Sequence, residues 1–202
     1  MLSTGGLQQV ETLEVQLAAP QEIWLDAMPT QVGTAMQSWL RISDVDFAPL
    51  LTSTASANRR GSLVSATLPA GTYYVTVQSL LTGPYQIRLR CGPPKTQPPL
   101  PFGESRHVLG LDEHKTFLLR PRTATRIELP ARGKEAPRLC VIDGSDGRLV
   151  TSGPGPDFKI ASAQLEAKDY YVVLRHSTAG MGDSYVTYRP SLTRVANHRV
   201  QT

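Results

Sequence analysis

Residues 68–89 read LPAGTYYVTVQSLLTGPYQIRL, and this stretch decides the fold. Pro69-Ala70-Gly71 predicts a turn, because proline presets its own φ and glycine accepts a positive φ. The YYVTV that follows alternates apolar and polar residues, which is typical of a half-buried strand. A second break at Thr82-Gly83-Pro84 precedes YQIRL, which alternates in the same way. The stretch therefore predicts an antiparallel hairpin with one apolar face.

The same pattern occurs twice in the chain. LEAKDYYVVL at 165–174 repeats the pattern of residues 68–77, and LCVID at 139–143 echoes LRISD at 40–44. A repeat of this length is a duplicated domain, since solenoid units span only about 20–50 residues. Helical periodicity is nearly absent. We therefore expect an all-β chain of two tandem antiparallel β-sandwiches, Greek-key or jelly-roll-like, each of about seven to nine strands.

Composition shifts predict the domain boundaries. We expect a flexible arm over residues 1–9, a first sandwich over 10–91, and a divergent second sandwich over 106–190. Residues 92–105 read GPPKTQPPLPFGES, and five prolines in this stretch predict a semi-rigid linker. Residues 191–202 are polar and predict a frayed tail.

Charge argues against nucleic acid as a partner. The net charge is +4, and residues 92–202 hold sixteen Lys/Arg against eleven Asp/Glu, while residues 1–91 hold five against six. No block of consecutive Lys/Arg occurs, whereas nucleic-acid binders typically cluster their basic charge and interleave aromatic residues for stacking. Neither a signal peptide nor a membrane insertion is expected, because long apolar runs are absent. Localisation stays open between the cytoplasm and export within a longer precursor.

No catalytic constellation is visible in the sequence. A Gly-x-Ser-x-Gly elbow does not occur, and the four histidines, His107, His114, His176 and His198, fall in expected loops or ends. Zinc-binding spacings are lacking as well. We expect a protein that is not an enzyme and needs neither cofactor nor metal. The less favoured alternative is a hydrolase with loop-borne residues, which a deep cleft lined with His and Asp would reveal.

The cysteines and one acidic turn leave two questions open. Cys91 and Cys140 are expected to be inert thiols on strands, and a disulfide between the domains is the alternative. The segment DGSDG at 143–147 predicts a turn. A loop-bound calcium held by Asp143, Asp146 or Asp157 is the alternative, although folding is not expected to require it.

Aromatic and arginine residues supply the candidate binding site. Trp24, Trp39 and Tyr74 lie opposite the apolar faces of their strands, so they form either an exposed binding platform or a buried contact. Arg120, Arg122 and Arg126 belong to the basic second domain and offer planar donors to the carboxylates of a partner.

The turn, the tyrosine pair and the alternating hairpin together resemble the bacterial pre-peptidase C-terminal (PPC-like) domain family. LRISD at 40–44 is similar to that family's Leu-x-Leu-x-Asp strand. The resemblance implies a non-catalytic accessory sandwich, attached to secreted peptidases or other exported enzymes, that serves in substrate binding or adhesion. Calcium in collagen-binding relatives is held by acidic residues before the first strand. Only Glu11 and Glu14 stand there, so calcium is not carried over.

These observations predict a non-catalytic interaction module. The expected partner is another protein, such as a peptidase or other enzyme. The alternative is a carbohydrate- or matrix-binding module that uses Trp24, Trp39 and Tyr74 as a stacking platform.

Overall fold

The computed structural model describes residues 8–30, 37–54, 62–80, 85–94, 96–102, 105–109, 114–129, 131–133, 138–153, 161–175, 184–188 and 191–194. Within these ranges the protein is all-β without a helix, and its strands pair antiparallel, so the predicted fold class is confirmed. The N-terminal half comprises β1 (Gln8–Leu17), β2 (Gln21–Pro29), β3 (Gln37–Ser43), β4 (Pro49–Thr54), β5 (Ser62–Leu68), β6 (Gly71–Leu80) and β7 (Tyr85–Gly92). The C-terminal half comprises β8 (Ser105–Leu109), β9 (His114–Leu119), β10 (Thr125–Leu129), β11 (Ala131–Gly133), β12 (Arg138–Asp143), β13 (Leu149–Gly153), β14 (Ala161–Leu165), β15 (Tyr170–Arg175), β16 (Ser184–Tyr188) and β17 (Ser191–Arg194).

Two sheets form the sandwich of the N-terminal half. One has the strand order β1-β6-β3-β4 and the other the order β5-β2-β7. Alternation along each strand sends one set of side chains inward, as Ile23, Leu25 and Ala27 of β2 show. The β6 strand contributes Tyr73, Val75 and Val77 to the same core. The predicted hairpin is therefore divided between the two sheets, since β6 lies in one and β7 in the other.

The strand order recurs in the C-terminal half. Its larger sheet runs β9-β15-β12-β13, and a second sheet runs β14-β10-β17. A further sheet, β11-β16-β8, has no counterpart among the described strands of the N-terminal half. In it β8 pairs with β16 rather than with β15. The C-terminal half thus repeats the strand order of the N-terminal half and adds one three-stranded sheet.

Three boundaries differ from the sequence-based expectation. The first strand begins at Gln8, inside the expected arm, and residues 191–194 of the expected tail form β17 against β10. The proline-rich segment also packs on the C-terminal half: the Leu100 N–H donates to the Leu118 carbonyl at 2.9 Å, and the Leu118 N–H donates to the Pro98 carbonyl at 2.9 Å. Leu100 itself is buried among the core side chains of that half. The domain division as a whole stays a prediction.

The sheet β9-β15-β12-β13 is buried on both faces. Leu139 and Val141 point into the core of the C-terminal half. Their neighbours Cys140 and Ile142 instead join the core of the N-terminal half, as does Val173 of β15. Apolar side chains thus pack continuously from one half into the other. Burial of this sheet therefore stabilises both halves.

Two similar turns meet where the halves join. After β3 the Phe47 N–H donates to the Asp44 carbonyl at 3.0 Å, and after β12 the Gly147 N–H donates to the Asp143 carbonyl at 3.0 Å. Phe47 and Gly147 both have left-handed backbones, with φ of 61° and 77°. Across the junction the Leu149 N–H donates to Asp44 Oδ2. The turns therefore contribute polar contacts around the apolar junction.

Candidate functional site

The residues predicted as a binding site lie on separate surfaces. Trp39 and Tyr74 share the outer face of the sheet β1-β6-β3-β4, because both alternate with inward residues of that sheet. Trp24 lies on the outer face of the opposite sheet, β5-β2-β7. Arg120 and Arg122 follow β9, and Arg126 lies on β10. The three aromatic residues accordingly do not form one platform.

The rings of Trp39 and Tyr74 have intramolecular partners. The Arg41 guanidinium carbon lies 5.5 Å from the centroid of the Trp39 ring, within the range of a cation–π contact. The Phe47 ring stacks on Tyr74 with centroids 4.2 Å apart and an interplanar angle of 9°. Phe47 is itself 53% exposed. Phe47 is therefore more exposed to solvent than Tyr74, on which it stacks.

Trp24 instead borders a pocket between the two halves, which we call the junction pocket. Its volume is about 450 Å³. The pocket is lined by the outer face of the N-terminal half, by the proline-rich segment and by the beginning of β9: Glu22, Trp24, Ser65, Thr67, Thr96, Gln97, Pro98, His114, Lys115, Thr116 and Phe117. A pocket of this size and position is typical of small-molecule sites, which favour the interfaces between domains.

Two hydrogen bonds hold the walls of the junction pocket together. Ser65 Oγ and His114 Nδ1 lie 3.2 Å apart, which joins β5 to β9. Gln97 Nε2 donates to Thr67 Oγ1 at 2.9 Å, which ties the proline-rich segment to β5. Because each bond links two different elements, the shape of the pocket depends on the docking of both halves.

Close packing fixes the orientation of Trp24. A Cβ added to Gly92 would lie 3.0 Å from Trp24 Cζ3, tighter than ordinary van der Waals contact. Glycine at this position therefore lets the indole ring lie against the backbone of β7. The half-buried ring forms one side of the junction pocket.

Buried polar side chains line the other sides. Thr67 is 3% exposed, and Glu22 and Thr116 are each 7% exposed. Among the described residues, Thr116 Oγ1 has no hydrogen-bond partner. The oxygen of this hydroxyl exposes almost no surface, and a buried hydroxyl without a partner costs about 1–3 kcal/mol.

A larger cleft, the basic cleft, lies between the proline-rich segment and the connection from β9 to β10. It has a volume of about 850 Å³. Pro99, Leu100 and Pro121 give it apolar walls, and Phe102 at its border is 56% exposed. Arg120 and Arg122 also line it. The cleft thus combines apolar surface with guanidinium groups.

An acidic neighbour positions Arg120. Its Nε donates to Asp169 Oδ1 at 3.0 Å and to Oδ2 at 3.1 Å. Nearby, burial and the charge of Asp169 raise the pKa of the Tyr171 hydroxyl, against an opposing effect of Arg120. Arg126 lies apart from the cleft lining and pairs with Glu128 at 3.3 Å.

The remaining sequence-based candidates have the following places. Cys140 is buried, Cys91 is exposed, and the two are free thiols. Asp143 accepts a hydrogen bond from the Ser145 N–H at 2.9 Å, and one of its carboxylate oxygens lies 2.5 Å from Lys168 Nζ.

Asp157, His176 and His198 lie outside the described residues. Within the described part of the chain, no group of three or more His, Cys, Asp or Glu side chains could hold a metal ion, and no helix of membrane-spanning length and hydrophobicity occurs.

Sequence reasoning missed most of the junction pocket. Ser65, His114 and Thr116 come from strands whose contact depends on how the halves dock, and no local pattern encodes that docking. Gln97 was assigned to the linker alone. The usable signal was Gly92 two positions after Arg90, the cross-strand partner of Trp24, since a glycine beside a tryptophan on paired strands indicates close ring-to-backbone packing.

The sequence matches no protein-family model. It has no match among curated proteins. A crystal structure of a protein from Eubacterium rectale is similar over 93% of this chain and 70% of that one, with 12% identity and a TM-score of 0.28. A similarity at that TM-score carries no conclusion about fold or function.

Proposed function

We propose that the protein is a non-catalytic interaction module that docks a partner protein through the basic cleft. The main support for this proposal is that the apolar walls of the cleft are bordered by Arg120, Arg122 and the exposed Phe102. Interfaces are enriched in arginine and aromatic residues, which supply most of the binding free energy. The proposed occupant is a segment of the partner that carries carboxylates beside apolar side chains.

Charge and preorganisation support this occupant. Asp169 holds Arg120 at Nε, which restricts the guanidinium before binding and lowers the entropy lost on association. Arg122 is exposed, and among the described residues it has no hydrogen bond or ion pair. Guanidinium groups bind carboxylates in a planar geometry, so an acidic segment is complementary to this cleft.

The architecture supports a docking role as well. The sheet β9-β15-β12-β13, which is buried on both faces, and a proline-rich segment paired with β9 keep the cleft walls in fixed relation. The recurring strand order supports the tandem duplication proposed from the sequence. The PPC-like resemblance would make the partner a peptidase or another enzyme.

Site-specific photo-crosslinking tests the proposal. A benzoylphenylalanine replaces Phe102, and a matched control replaces Phe47, which is exposed to nearly the same extent on the other half. In extracts of the native source, we expect a discrete crosslinked protein from position 102 only. The double change Arg120→Glu and Arg122→Glu should abolish that product. Equal products from both positions, or a product that resists the charge reversal, would refute docking at this cleft.

The non-catalytic part of the proposal has its own test. Ser65 and His114 form the one described serine–histidine contact in the pockets above, and such a pair can activate a serine for hydrolysis. We expect wild-type protein and Ser65→Ala to hydrolyse p-nitrophenyl acetate at the same background rate. A rate that falls at least tenfold in Ser65→Ala would instead support the hydrolase alternative.

A further inference from the structure

We propose that the junction pocket binds a neutral saccharide, with Trp24 as the wall on which a sugar ring stacks. This site is separate from the proposed docking at the basic cleft, with which its lining shares only Gln97 among the described residues. The volume of about 450 Å³ suits one or two sugar rings.

The aromatic wall favours a sugar ring over other small polar ligands. Trp24 is half-buried, and its contact with Gly92 holds the indole against β7. A tryptophan presents a large apolar face without much loss of conformational entropy on binding. Sugar rings have apolar C–H faces and polar hydroxyl edges, so they match a pocket with one aromatic wall and several polar walls.

The polar walls match the edges of such a ring. Hydroxyls come from Ser65 and Thr67, an amide from Gln97, and a carboxylate from Glu22. Thr116 also lines the pocket, but its Oγ1 is buried too deeply for a ligand to reach. Hydroxyl and amide groups can donate to and accept from sugar hydroxyls, and a carboxylate can accept from them.

The charge balance favours a neutral ligand. Glu22 carries a negative charge and Lys115 a positive one, and both line the pocket. An anionic ligand would meet the Glu22 carboxylate, which is 7% exposed and hence weakly screened by solvent. The described lining of the pocket also has no arginine, unlike that of the basic cleft, so nucleotides and acidic peptides fit it poorly.

Saturation-transfer difference NMR on the whole protein tests the proposal. The probes are glucose, galactose, mannose, N-acetylglucosamine, cellobiose and lactose, together with glucuronate and glutamate as charged comparisons. We expect at least one neutral sugar to give a difference signal that falls at least fivefold in Trp24→Ala. The matched control Trp39→Ala should keep the signal, because Trp39 lies on the opposite sheet. Signals from the charged probes alone, or from none of the probes, would overturn the proposal.

A second variant keeps the test decisive if Trp24→Ala fails to fold. Ser65→Ala removes one of the hydroxyls that line the pocket and leaves Trp24 in place. This variant should bind the responding sugar at least threefold more weakly. Unchanged sugar affinity in Ser65→Ala would contradict the assignment of its hydroxyl, and with it the site. Arg122→Glu should leave sugar binding unchanged, which separates this site from the basic cleft.

Discussion

The backbone N–H of Leu149 donates to Asp44 Oδ2 at 2.8 Å, so a turn of the C-terminal half is hydrogen-bonded to a buried carboxylate of the N-terminal half. The other oxygen of Asp44 accepts the N–H groups of Asp46 at 3.0 Å and Ala48 at 2.8 Å. Asp44 is 2% exposed. One carboxylate thus organises its own turn and fastens the other half to it.

Asp44→Ala should lower the free energy of unfolding by about 2–4 kcal/mol, because it leaves three N–H donors without their acceptor. Urea denaturation measures the change. Asp46→Ala is the matched control, since the Asp46 side chain is 63% exposed and pairs with Arg148 only at 3.5 Å. We expect the control to lie within about 0.5 kcal/mol of the wild type. An equally small effect of Asp44→Ala would show that the cross-half bond contributes little.

Gly147→Ala should destabilise the protein, because the new methyl group would press against a residue of the N-terminal half. Its φ of 77° disfavours a side chain, and an added Cβ would overlap the hydroxyl of Tyr73. We expect a loss of about 2–4 kcal/mol from strain and overpacking. A Tyr73→Phe background removes the overlap with the hydroxyl and keeps the contact with the ring carbon Cζ at 2.8 Å. The cost of Gly147→Ala should therefore shrink in part, by about 1 kcal/mol. A double-mutant cycle from urea denaturation measures this coupling, and strictly additive costs would contradict the described contact.

Asp143 should confer acid sensitivity. Burial acts to raise its pKa, but hydrogen bonds from Lys168 and Ser145 and the charge of Lys168 outweigh burial, so the pKa lies below its ordinary value. A lowered folded-state pKa stabilises the protein above the unfolded value of about 3.9 and ceases to do so as pH falls through the folded value. We expect Asp143→Asn to be less stable than the wild type at neutral pH, with the difference vanishing once the pH falls below the folded-state pKa. Urea denaturation across this range measures it, and parallel curves would contradict the linkage.

At high pH, stability should be lost because two side chains have raised pKa values in the folded protein. The hydrogen bond to Asp143 raises the pKa of Lys168 against the opposing effect of desolvation, and burial raises the pKa of Tyr73. A raised folded-state pKa stabilises the protein below the unfolded value, about 10 for both residue types, and this stabilisation is lost as pH rises through the folded value. We expect Tyr73→Phe to flatten the loss of stability above pH 10. If stability in that variant fell with pH as steeply as in the wild type, groups other than Tyr73 would be responsible for the alkaline loss of stability.

Phe47 should respond differently to two small replacements. Its left-handed φ of 61° costs about 1–2 kcal/mol in a residue with a Cβ, and stacking on Tyr74 returns about 0.5–1.5 kcal/mol. Phe47→Ala loses the stacking and keeps the strain, so it should be destabilised. Phe47→Gly loses both and should lie at least about 0.5 kcal/mol above Phe47→Ala in stability. Equal thermal stability of the two variants would show that the backbone at this position carries no strain.

Local patterns predicted much of the fold. Period-two alternation and turn residues are encoded within a few positions, so the strands around Leu68 and Leu165 could be anticipated. The predicted pairing within the hairpin was wrong, because β6 and β7 lie in different sheets. Docking between the halves could not, because alternation does not say which outer face will be covered. Cys140 and Ile142 look like ordinary outward positions, and they are buried only because the other half lies against them.

The candidate site was predicted in part for the same reason. Trp24 was identified as a large aromatic residue that should cover something, and it borders the junction pocket. Trp39 and Tyr74 were grouped with it, although they lie on the opposite sheet, because one-dimensional spacing does not distinguish the two outer faces of a sandwich. His114 and Thr116 became pocket residues only through the packing of β9 beside β5.

Because Cys140 is buried where the two halves pack together, its reactivity with a thiol reagent should report when the halves separate. Cys91 is exposed and should react with a thiol reagent at once, whereas Cys140 should react only when the sheet that carries it lifts away from the N-terminal half. The lag between the two labelling events would therefore time that opening in unmodified protein. A saccharide seated in the junction pocket would bridge both halves and should lengthen the lag.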